Sequence, residues 1–232
     1  MHHARRTLIA TLLVAAFAAT ARAQPGIGTC VMGETRLATG GLNGLWTFGL
    51  RVYQWFDPAT CGFCLAADGA IVLRTVELDV FPASHQASPV EIPAAISVVG
   101  WKGLPSCPEP DDANVIMPPQ DVTFVVPASP LTRLSIRVPI AGSPQFLLPA
   151  FLELVIPPAP VADASQSPAV GEVVSLTCPS CRQYQDLGLL PGLADACSGG
   201  GHDPLTIRPR GDCVAVTAAR SATWGRLKSI YR

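Results

Sequence analysis

Apolar and polar residues alternate with a period of two along three stretches of this chain, at residues 45–56, 70–81 and 133–138. This period, with many β-branched residues, is typical of half-buried antiparallel strands. In the second stretch Val76, Leu78 and Val80 are expected to face a core, while Glu77 and Asp79 share the outward face. The outward carboxylates have the neighbours of an ordinary exposed strand face, so we do not expect catalysis there.

Further short apolar runs predict more strands at residues 90–101, 121–126, 147–156, 172–177 and 213–217. The 147–156 run is almost wholly apolar, which favours a central strand covered on both faces, with a bulge or an edge start at Pro149. Proline-rich breakers are expected between the runs, at 105–110, 118–119, 127–130 and 157–160. The predicted fold is therefore all-β: a two-sheet antiparallel β-sandwich, jelly-roll-like, with residues 157–168 as a long connection inside one domain.

The first 23 residues have the pattern of a secretory signal peptide. Arg5 and Arg6 precede an apolar run at residues 8–19, which is too short to span a membrane, and Ala21-Arg22-Ala23 is a small-x-small cleavage site. We therefore predict a signal peptide at 1–23, a β-sandwich domain at 24–219 and a basic tail or short helix at 220–232. The mature protein is expected to be secreted or held at the cell surface.

The composition excludes several classes of function. Charged residues make up only 14% of the chain, with 16 Lys and Arg against 17 Asp and Glu, while 49% of the residues are hydrophobic. Basic nucleic-acid binders, coiled coils and disordered polyelectrolytes all need far more charge. We accordingly expect no nucleic-acid partner and no transmembrane segment in the mature chain.

The chain has eight cysteines, an even number that in an exported protein predicts disulfide bonds. They are Cys30, Cys61, Cys64, Cys107, Cys178, Cys181, Cys197 and Cys213. Two pairs have C-x-x-C spacing, so a zinc site or a redox site competes with structural disulfides. The 113 residues between the pairs and the short segments after them favour structural disulfides. We further expect two bridges within the four C-terminal cysteines.

Few residues offer catalytic or metal-binding chemistry. Only His85 and His202 remain in the mature chain, so a Ser-His-Asp hydrolase would have to use one of them. No nucleophile elbow, phosphate-binding loop or paired-histidine zinc motif is present. The acidic residues Glu109, Asp111 and Asp112 are expected on a proline-rich loop, as a solvated turn or alternatively as calcium ligands. We predict no catalytic residue and no cofactor, with Ca²⁺ as the one alternative.

Aromatic side chains offer a possible ligand surface. Alternation in residues 45–56 places Tyr53 and Trp55 on the face opposite the core, beside Arg51, and Trp101 ends another strand. Exposed rings of this kind stack on sugars in carbohydrate-binding sandwiches. The alternative is that the second sheet or a loop covers them.

The last eleven residues, from Ala222 to Arg232, read A-T-W-G-R-L-K-S-I-Y-R. This W-G-x-x-K-x-x-Y-R ending, with Trp224, Lys228, Tyr231 and Arg232, resembles that of uncharacterised cysteine-rich secreted proteins of GC-rich Gram-negative bacteria. The resemblance extends to C-x-x-C before a V-E-L-D-V strand and to G-D-C-V near the end, and it implies a secreted β-sandwich without a known activity. The tail is expected either to dock on the sandwich or to act as a sorting signal.

The sequence thus favours a non-catalytic β-sandwich, secreted or surface-exposed, with a structural or adhesive interaction role and a glycan or envelope protein as its partner. A carbohydrate-binding module that uses Tyr53, Trp55 or Trp101 is the alternative. A hydrolase is the third hypothesis.

Overall fold

Two antiparallel β-sheets form the whole of the described fold. The computed structural model describes residues 29–42, 49–57, 69–83, 86, 88–128, 132–158, 167–174, 180–187, 192–197 and 203–215. Within these residues there are thirteen strands and no helix. The two-sheet antiparallel β-sandwich expected from the alternation is confirmed. The strands are β1 (Thr29–Val31), β2 (Gly40–Leu42), β3 (Leu50–Phe56), β4 (Gly69–Phe81), β5 (Val90–Leu104), β6 (Cys107–Val126), β7 (Leu134–Pro139), β8 (Gln145–Leu147), β9 (Ala150–Ile156), β10 (Ala169–Glu172), β11 (Gln183–Asp186), β12 (Ala194–Asp195) and β13 (Ile207–Ala215).

The long strand β4 organises one sheet, which we call sheet A. Its order is β1-β13-β4-β10-β2, and β7 and β8 also pair with β4. The other sheet, sheet B, has the order β12-β11-β3-β9-β5-β6. The residues that follow the 157–168 connection complete both sheets, since β10 and β13 pair with β4 in sheet A and β11 pairs with β3 in sheet B.

The core lies between the inner faces of the two sheets, where the alternation placed it. Sheet A contributes Val76, Leu78 and Val80, and all three are fully buried. Sheet B contributes, among others, Val52 of β3, Ile96 of β5 and Leu152 of β9. The inward positions predicted for Val76, Leu78 and Val80, and for the described part of the 45–56 stretch, are therefore confirmed.

Strand β9 lies in the middle of sheet B and is covered on both faces, as its apolar sequence predicted. It pairs with β3 on one side and β5 on the other, and six of its seven residues are buried. The predicted run is nevertheless divided, since residues 145–147 form β8 in sheet A. The chain crosses from one sheet to the other through Leu148 and Pro149, which are joined by a cis peptide bond.

Strands β5 and β6 form a long hairpin that the proline breakers did not predict. Residues 105–106 form its turn, and β6 extends through Pro108, Pro110, Pro118 and Pro119, with shifts in its register against β5. The expected breaks at 107–110 and 118–119 are therefore wrong. Strand β6 is the edge of sheet B, and an edge strand tolerates single prolines because one side of its backbone has no partner strand. The adjacent Pro118 and Pro119 lie at a register shift, between Gln120 opposite Ile96 and Met117 opposite Val98.

The distal part of this hairpin, residues 100–115, extends beyond the end of β9 and is called the arm below. Strand β5 pairs with β9 only as far as Val99, which lies opposite Phe151. Just beyond, the register of β6 shifts from Val115 opposite Val99 to Asp111 opposite Gly100, so residues 112–114 bulge out of the ladder. Gly100 accommodates the bulge, because a Cβ atom at this position would collide with the Asn114 side chain.

Two predicted segments lie outside the described residues: the signal peptide at 1–23 and the tail or short helix at 220–232. In the part of the chain that the structure describes, no helix is long and apolar enough to cross a membrane.

Candidate functional site

The outer face of sheet B carries a cluster of aromatic side chains instead of an exposed polar surface. Tyr53 and Trp55 of β3 point away from the main core, as predicted, and pack with Phe151 and Tyr184. The rings of Trp55 and Phe151 lie 4.7 Å apart, and those of Phe151 and Tyr184 lie 5.9 Å apart. This face therefore has a small apolar core of its own.

The arm covers this aromatic cluster. The disulfide Cys107–Cys181 joins the start of β6 to the residue two positions before β11. Tyr184 Oη donates a hydrogen bond of 3.0 Å to the carbonyl oxygen of Pro108. The Trp101 ring meets the edge of Trp55 at 6.0 Å. A covalent bond, a hydrogen bond and an aromatic contact together hold the arm against sheet B.

Polar residues beside the aromatic cluster make a second attachment for the arm. Tyr53 Oη donates a hydrogen bond of 2.7 Å to Asp112 in the bulge of β6 and lies 3.3 Å from Glu153 Oε1. Glu153 also accepts hydrogen bonds from Arg51 Nε, at 2.7 Å, and from Ser97 Oγ. Arg51 reaches Asp112 as well, at 3.3 Å, and its guanidinium lies 5.1 Å from the centre of the Tyr53 ring.

The environment of Tyr53 keeps its hydroxyl protonated. Burial raises the pKa of Tyr53 well above its ordinary value, and the hydrogen bond to Asp112 and the charge of Glu153 raise it further. A protonated hydroxyl donates to a carboxylate and does not act as a base near neutral pH. This arrangement suits Tyr53 to fastening the bulge to the sheet.

We expect Tyr53→Phe to loosen the bulge without unfolding the sandwich. The substitution removes one hydrogen bond to a charged acceptor, which is worth about 1.5–3 kcal/mol at most. Amide hydrogen exchange should accelerate in residues 112–114 and remain unchanged in β9. Tyr184→Phe is the matched control, because it removes the bond to Pro108 and should accelerate exchange nearer the tip of the arm. Equal exchange at residues 112–114 in wild type and Tyr53→Phe would contradict this role.

A buried ionic cluster occupies the outer face of sheet A. Arg208 of β13, whose side chain is only 4% exposed, contacts Glu77 at 2.8 Å and also binds Asp79. Arg137 and Arg210 contact Glu77 at 2.7 and 3.0 Å. The segment between β1 and β2 covers the cluster: Ala38 donates its amide to Asp79, and Arg208 donates to the carbonyl oxygen of Arg36.

The arginines determine the charge state of both carboxylates. Burial alone would raise the pKa of Glu77, but the hydrogen bond from Arg137 and the charges of Arg208 and Arg210 outweigh it and lower the pKa. The pKa of Asp79 is also lowered against the effect of burial, through hydrogen bonds from Arg208, Ser135 and the Ala38 amide. Both carboxylates are therefore ionised and engaged, which makes them structural anchors and poor proton donors.

The positions of these residues correct two expectations about exposure. Glu77 and Asp79 do share the outward face of β4, but they are buried at 5% and 0% exposure because residues 32–39 and the arginines cover them. Tyr53 and Trp55 also face outward, yet the arm buries them to 1% and 7% exposure. The faces of the Tyr53 and Trp55 rings are therefore not accessible to a sugar. The Trp101 ring is half-buried.

The three calcium candidates lie in strand β6, and the expectation of a loop was wrong. Glu109 is exposed, Asp111 accepts a hydrogen bond from the amide of Ala113, and Asp112 binds Tyr53 and Arg51. Among the residues that the structure describes, no group of three His, Cys, Asp or Glu side chains could hold a metal ion.

The cysteines form structural disulfides where they are described. Cys107 pairs with Cys181, and Cys30, Cys197 and Cys213 are disulfide-bonded as well. The expected two bridges within the C-terminal four were wrong, because Cys181 bonds to a cysteine 74 residues earlier. Cys61, Cys64 and Cys178 lie outside the described residues, as do His85, His202 and the tail residues Trp224, Lys228, Tyr231 and Arg232.

The ion cluster of sheet A and the attachments of the arm were the features that sequence reasoning missed. The sequence did contain a signal for the ion cluster. Arg208 and Arg210 flank Pro209 in the same alternating pattern in which Glu77 and Asp79 flank Leu78 on β4. Strands that pair with matching alternation place opposite charges on one face.

Comparison with known proteins adds no relative. No protein-family model matches the chain, and no curated protein and no solved structure shows significant similarity to it.

Proposed function

We propose that this protein is a non-catalytic, exported β-sandwich with a structural or adhesive interaction role at the cell surface. The proposal rests on one observation: the buried ionisable groups fasten segments of the chain to the two sheets through hydrogen bonds and ion pairs. On sheet A they fix the segment 32–39 to the sheet, and on sheet B they fix the arm. Ionisable side chains that are paired in this way stabilise a rigid fold and are poorly placed for proton transfer.

The disulfides support the assignment to an oxidising compartment. Cys107–Cys181 and the bonded Cys30, Cys197 and Cys213 suit a secreted protein, because cytosolic thiols are kept reduced. The signal-peptide pattern at residues 1–23 is consistent with this compartment.

The part of sheet B that the described residues leave uncovered offers a surface for a partner. Beyond the arm, the outer face of β5 and β6 includes the cross-strand pairs Glu91–Val125 and Pro93–Thr123. All four residues are exposed, and Val125 is one of the large exposed hydrophobic residues among those described. A flat face of mixed apolar and acidic character suits an envelope protein as partner.

Glycan binding through Trp101 is the second candidate. Its indole is half-buried at the base of the arm, and its partner ring Trp55 lies beneath it. A single accessible ring of this kind can stack on one face of a sugar.

Saturable binding of the labelled mature protein, residues 24–232, to envelopes from the producing cells is the expected result. Val125→Glu should weaken the binding at least about fivefold, since a central apolar contact is worth more than about 1 kcal/mol. Leu147→Glu, a similar change at an exposed leucine on sheet A, is the matched control and should bind like wild type.

Three results would count against the proposal. Absence of saturable binding, or equal loss in both variants, would remove the interaction surface. Turnover of chromogenic ester, phosphate or glycoside substrates would overturn the non-catalytic assignment. Binding to a glycan array that Trp101→Ala abolishes would replace the first candidate with the second.

A further inference from the structure

The outer side of the arm is a surface that the described residues leave uncovered. Along residues 107–111 the buried Pro108 and Pro110 alternate with the more exposed Glu109 and Asp111, so one side of the strand faces the aromatic cluster and the other faces solvent. Leu104, at the tip of β5, is 69% exposed. We call the set Leu104, Glu109 and Asp111 the arm surface.

The arm has an acidic charge balance. Residues 100–115 contain one lysine, Lys102, and three carboxylates. Lys102 lies opposite Glu109 in the ladder, and Asp112 is engaged by Tyr53 and Arg51. Glu109 is exposed and Asp111 is half-buried, so the arm presents two carboxylates beside Lys102 and the exposed Leu104. Such a surface suits a partner segment that is both basic and apolar.

The end of the chain has this complementary character. Residues 220–232 contain Arg220, Arg226, Lys228 and Arg232 and no acidic residue. The same segment carries Trp224, Leu227 and Tyr231.

Strand β13 ends, at Ala215, on the end of the sandwich from which the arm projects. Cys213 of β13 lies opposite Ile71, which in turn lies opposite Phe146. Phe146 stacks on Phe56 at 6.0 Å, and the neighbouring Trp55 contacts Trp101 at the base of the arm. The thirteen residues that follow Ala215, up to and including Lys228, span up to about 43 Å when extended, which exceeds the width of a two-sheet sandwich.

We propose that residues 220–232 dock on the arm surface of their own chain. The basic side chains lie beside Glu109 and Asp111, and apolar side chains of the tail cover Leu104. This assigns an intramolecular binding partner to the tail and makes the arm its docking site.

Zero-length cross-linking of the full mature chain tests this docking. A carbodiimide activates a carboxylate, which the amine of a lysine attacks to form an amide as the urea leaves. The chain has only two lysines, Lys102 and Lys228, so each cross-linked peptide is unambiguous. The expected product joins Lys228 to Glu109 or Asp111. Lys102–Glu109 is the internal positive control, because these residues are cross-strand partners.

Matched variants define the site. Leu104→Ser keeps every carboxylate and is the deciding variant: it should lower the yield of the Lys228 cross-link several-fold. Glu109→Gln with Asp111→Asn removes the reacting carboxylates themselves and therefore only identifies which of them are joined. Glu91→Gln with Asp121→Asn, an equal loss of charge at the other end of the hairpin, should leave the Lys228 cross-link unchanged.

The proposal is overturned if Lys102–Glu109 forms without any Lys228 product, or if Lys228 reacts with Glu91 or Asp121 as readily as with the arm. A mixture of ¹⁴N- and ¹⁵N-labelled protein separates the two geometries. Products within one isotope support docking in the same chain, and mixed-isotope products show that the tail binds a second copy instead.

Discussion

Replacing Arg208 with methionine is expected to lower the free energy of unfolding by about 3–5 kcal/mol, the cost of breaking a buried ion pair on one side. Methionine keeps most of the side-chain volume but removes the guanidinium. Asp79, which is fully buried, then retains only the Ser135 hydroxyl and the Ala38 amide among its described partners. Glu77 retains Arg137 and Arg210, so Asp79 is the residue that this substitution leaves uncompensated.

The effect of this substitution should depend on pH. In the wild type the pKa values of Glu77 and Asp79 are lowered, so their stabilising contribution is present above the ordinary carboxyl pKa of about 4 and is lost as the pH falls through the folded-state values. In Arg208→Met the burial of Asp79 favours its protonated form instead. The difference between wild type and variant should therefore be largest near pH 7 and shrink below about pH 4.

Urea unfolding of both proteins across this pH range measures the difference. Arg74→Met is the matched control, because Arg74 forms an ion pair with Asp212 but is 50% exposed, and a surface pair is worth under about 1 kcal/mol. A loss at Arg208 no larger than the loss at Arg74, or a difference that stays constant with pH, would show that the cluster does not anchor sheet A.

Removing the Cys107–Cys181 disulfide, by replacing both cysteines with serine, should destabilise the protein by about 2–4 kcal/mol. The bond closes a loop across a sequence separation of 74 residues, and a long loop gains much conformational freedom in the unfolded chain when it is opened. The arm then depends on Tyr53, Tyr184 and the ring contact of Trp101.

Tryptophan fluorescence and urea unfolding report the two parts of this prediction. Release of the arm exposes Trp55 and Trp101, so the emission maximum should shift to longer wavelength under conditions where the sandwich is still folded. Ser106→Ala, an exposed residue in the hairpin turn next to Cys107, is a control that should change neither measurement. An unchanged emission maximum in the double variant would mean that the disulfide is dispensable for holding the arm.

Alternation predicted which way side chains point, and it did so accurately. In β3 and β4 the residues assigned to the inner face are in the core, and the others lie on the outer face. The reason is that the two faces of a strand alternate with a period of two. In β4 a register shift opposite Arg210 and Gly211 changes the inward positions from Ile71 and Leu73 to Val76, Leu78 and Val80.

Alternation could not predict what covers an outer face. Glu77 and Tyr53 were expected to be exposed or open to solvent, and both are buried by segments distant in sequence, at residues 32–39 and 100–115. Such coverage depends on long-range contacts that leave no period in the local sequence. The sequence therefore predicted the strand face on which each residue of the candidate site lies, but it did not predict which residues contact it.

The prolines of β6 illustrate a second limit. Proline usually ends a strand, so Pro108, Pro110, Pro118 and Pro119 were interpreted as breaks. Position in the sheet overrides this rule, because an edge strand needs only one of its two sides for pairing. Which strand forms the edge is a property of the complete topology.

The pairing of β1 with β13 has a consequence for synthesis. Thr29, in the first described strand, donates a hydrogen bond to Asp212, 183 residues later, and both belong to the same ladder. Strand β1 is synthesised before β13, so the ladder between them can form only once residues 210–212 have been made. The described ladders of sheet A are therefore completed only after residue 212 has been synthesised, and the earlier strands must stay unaggregated until then.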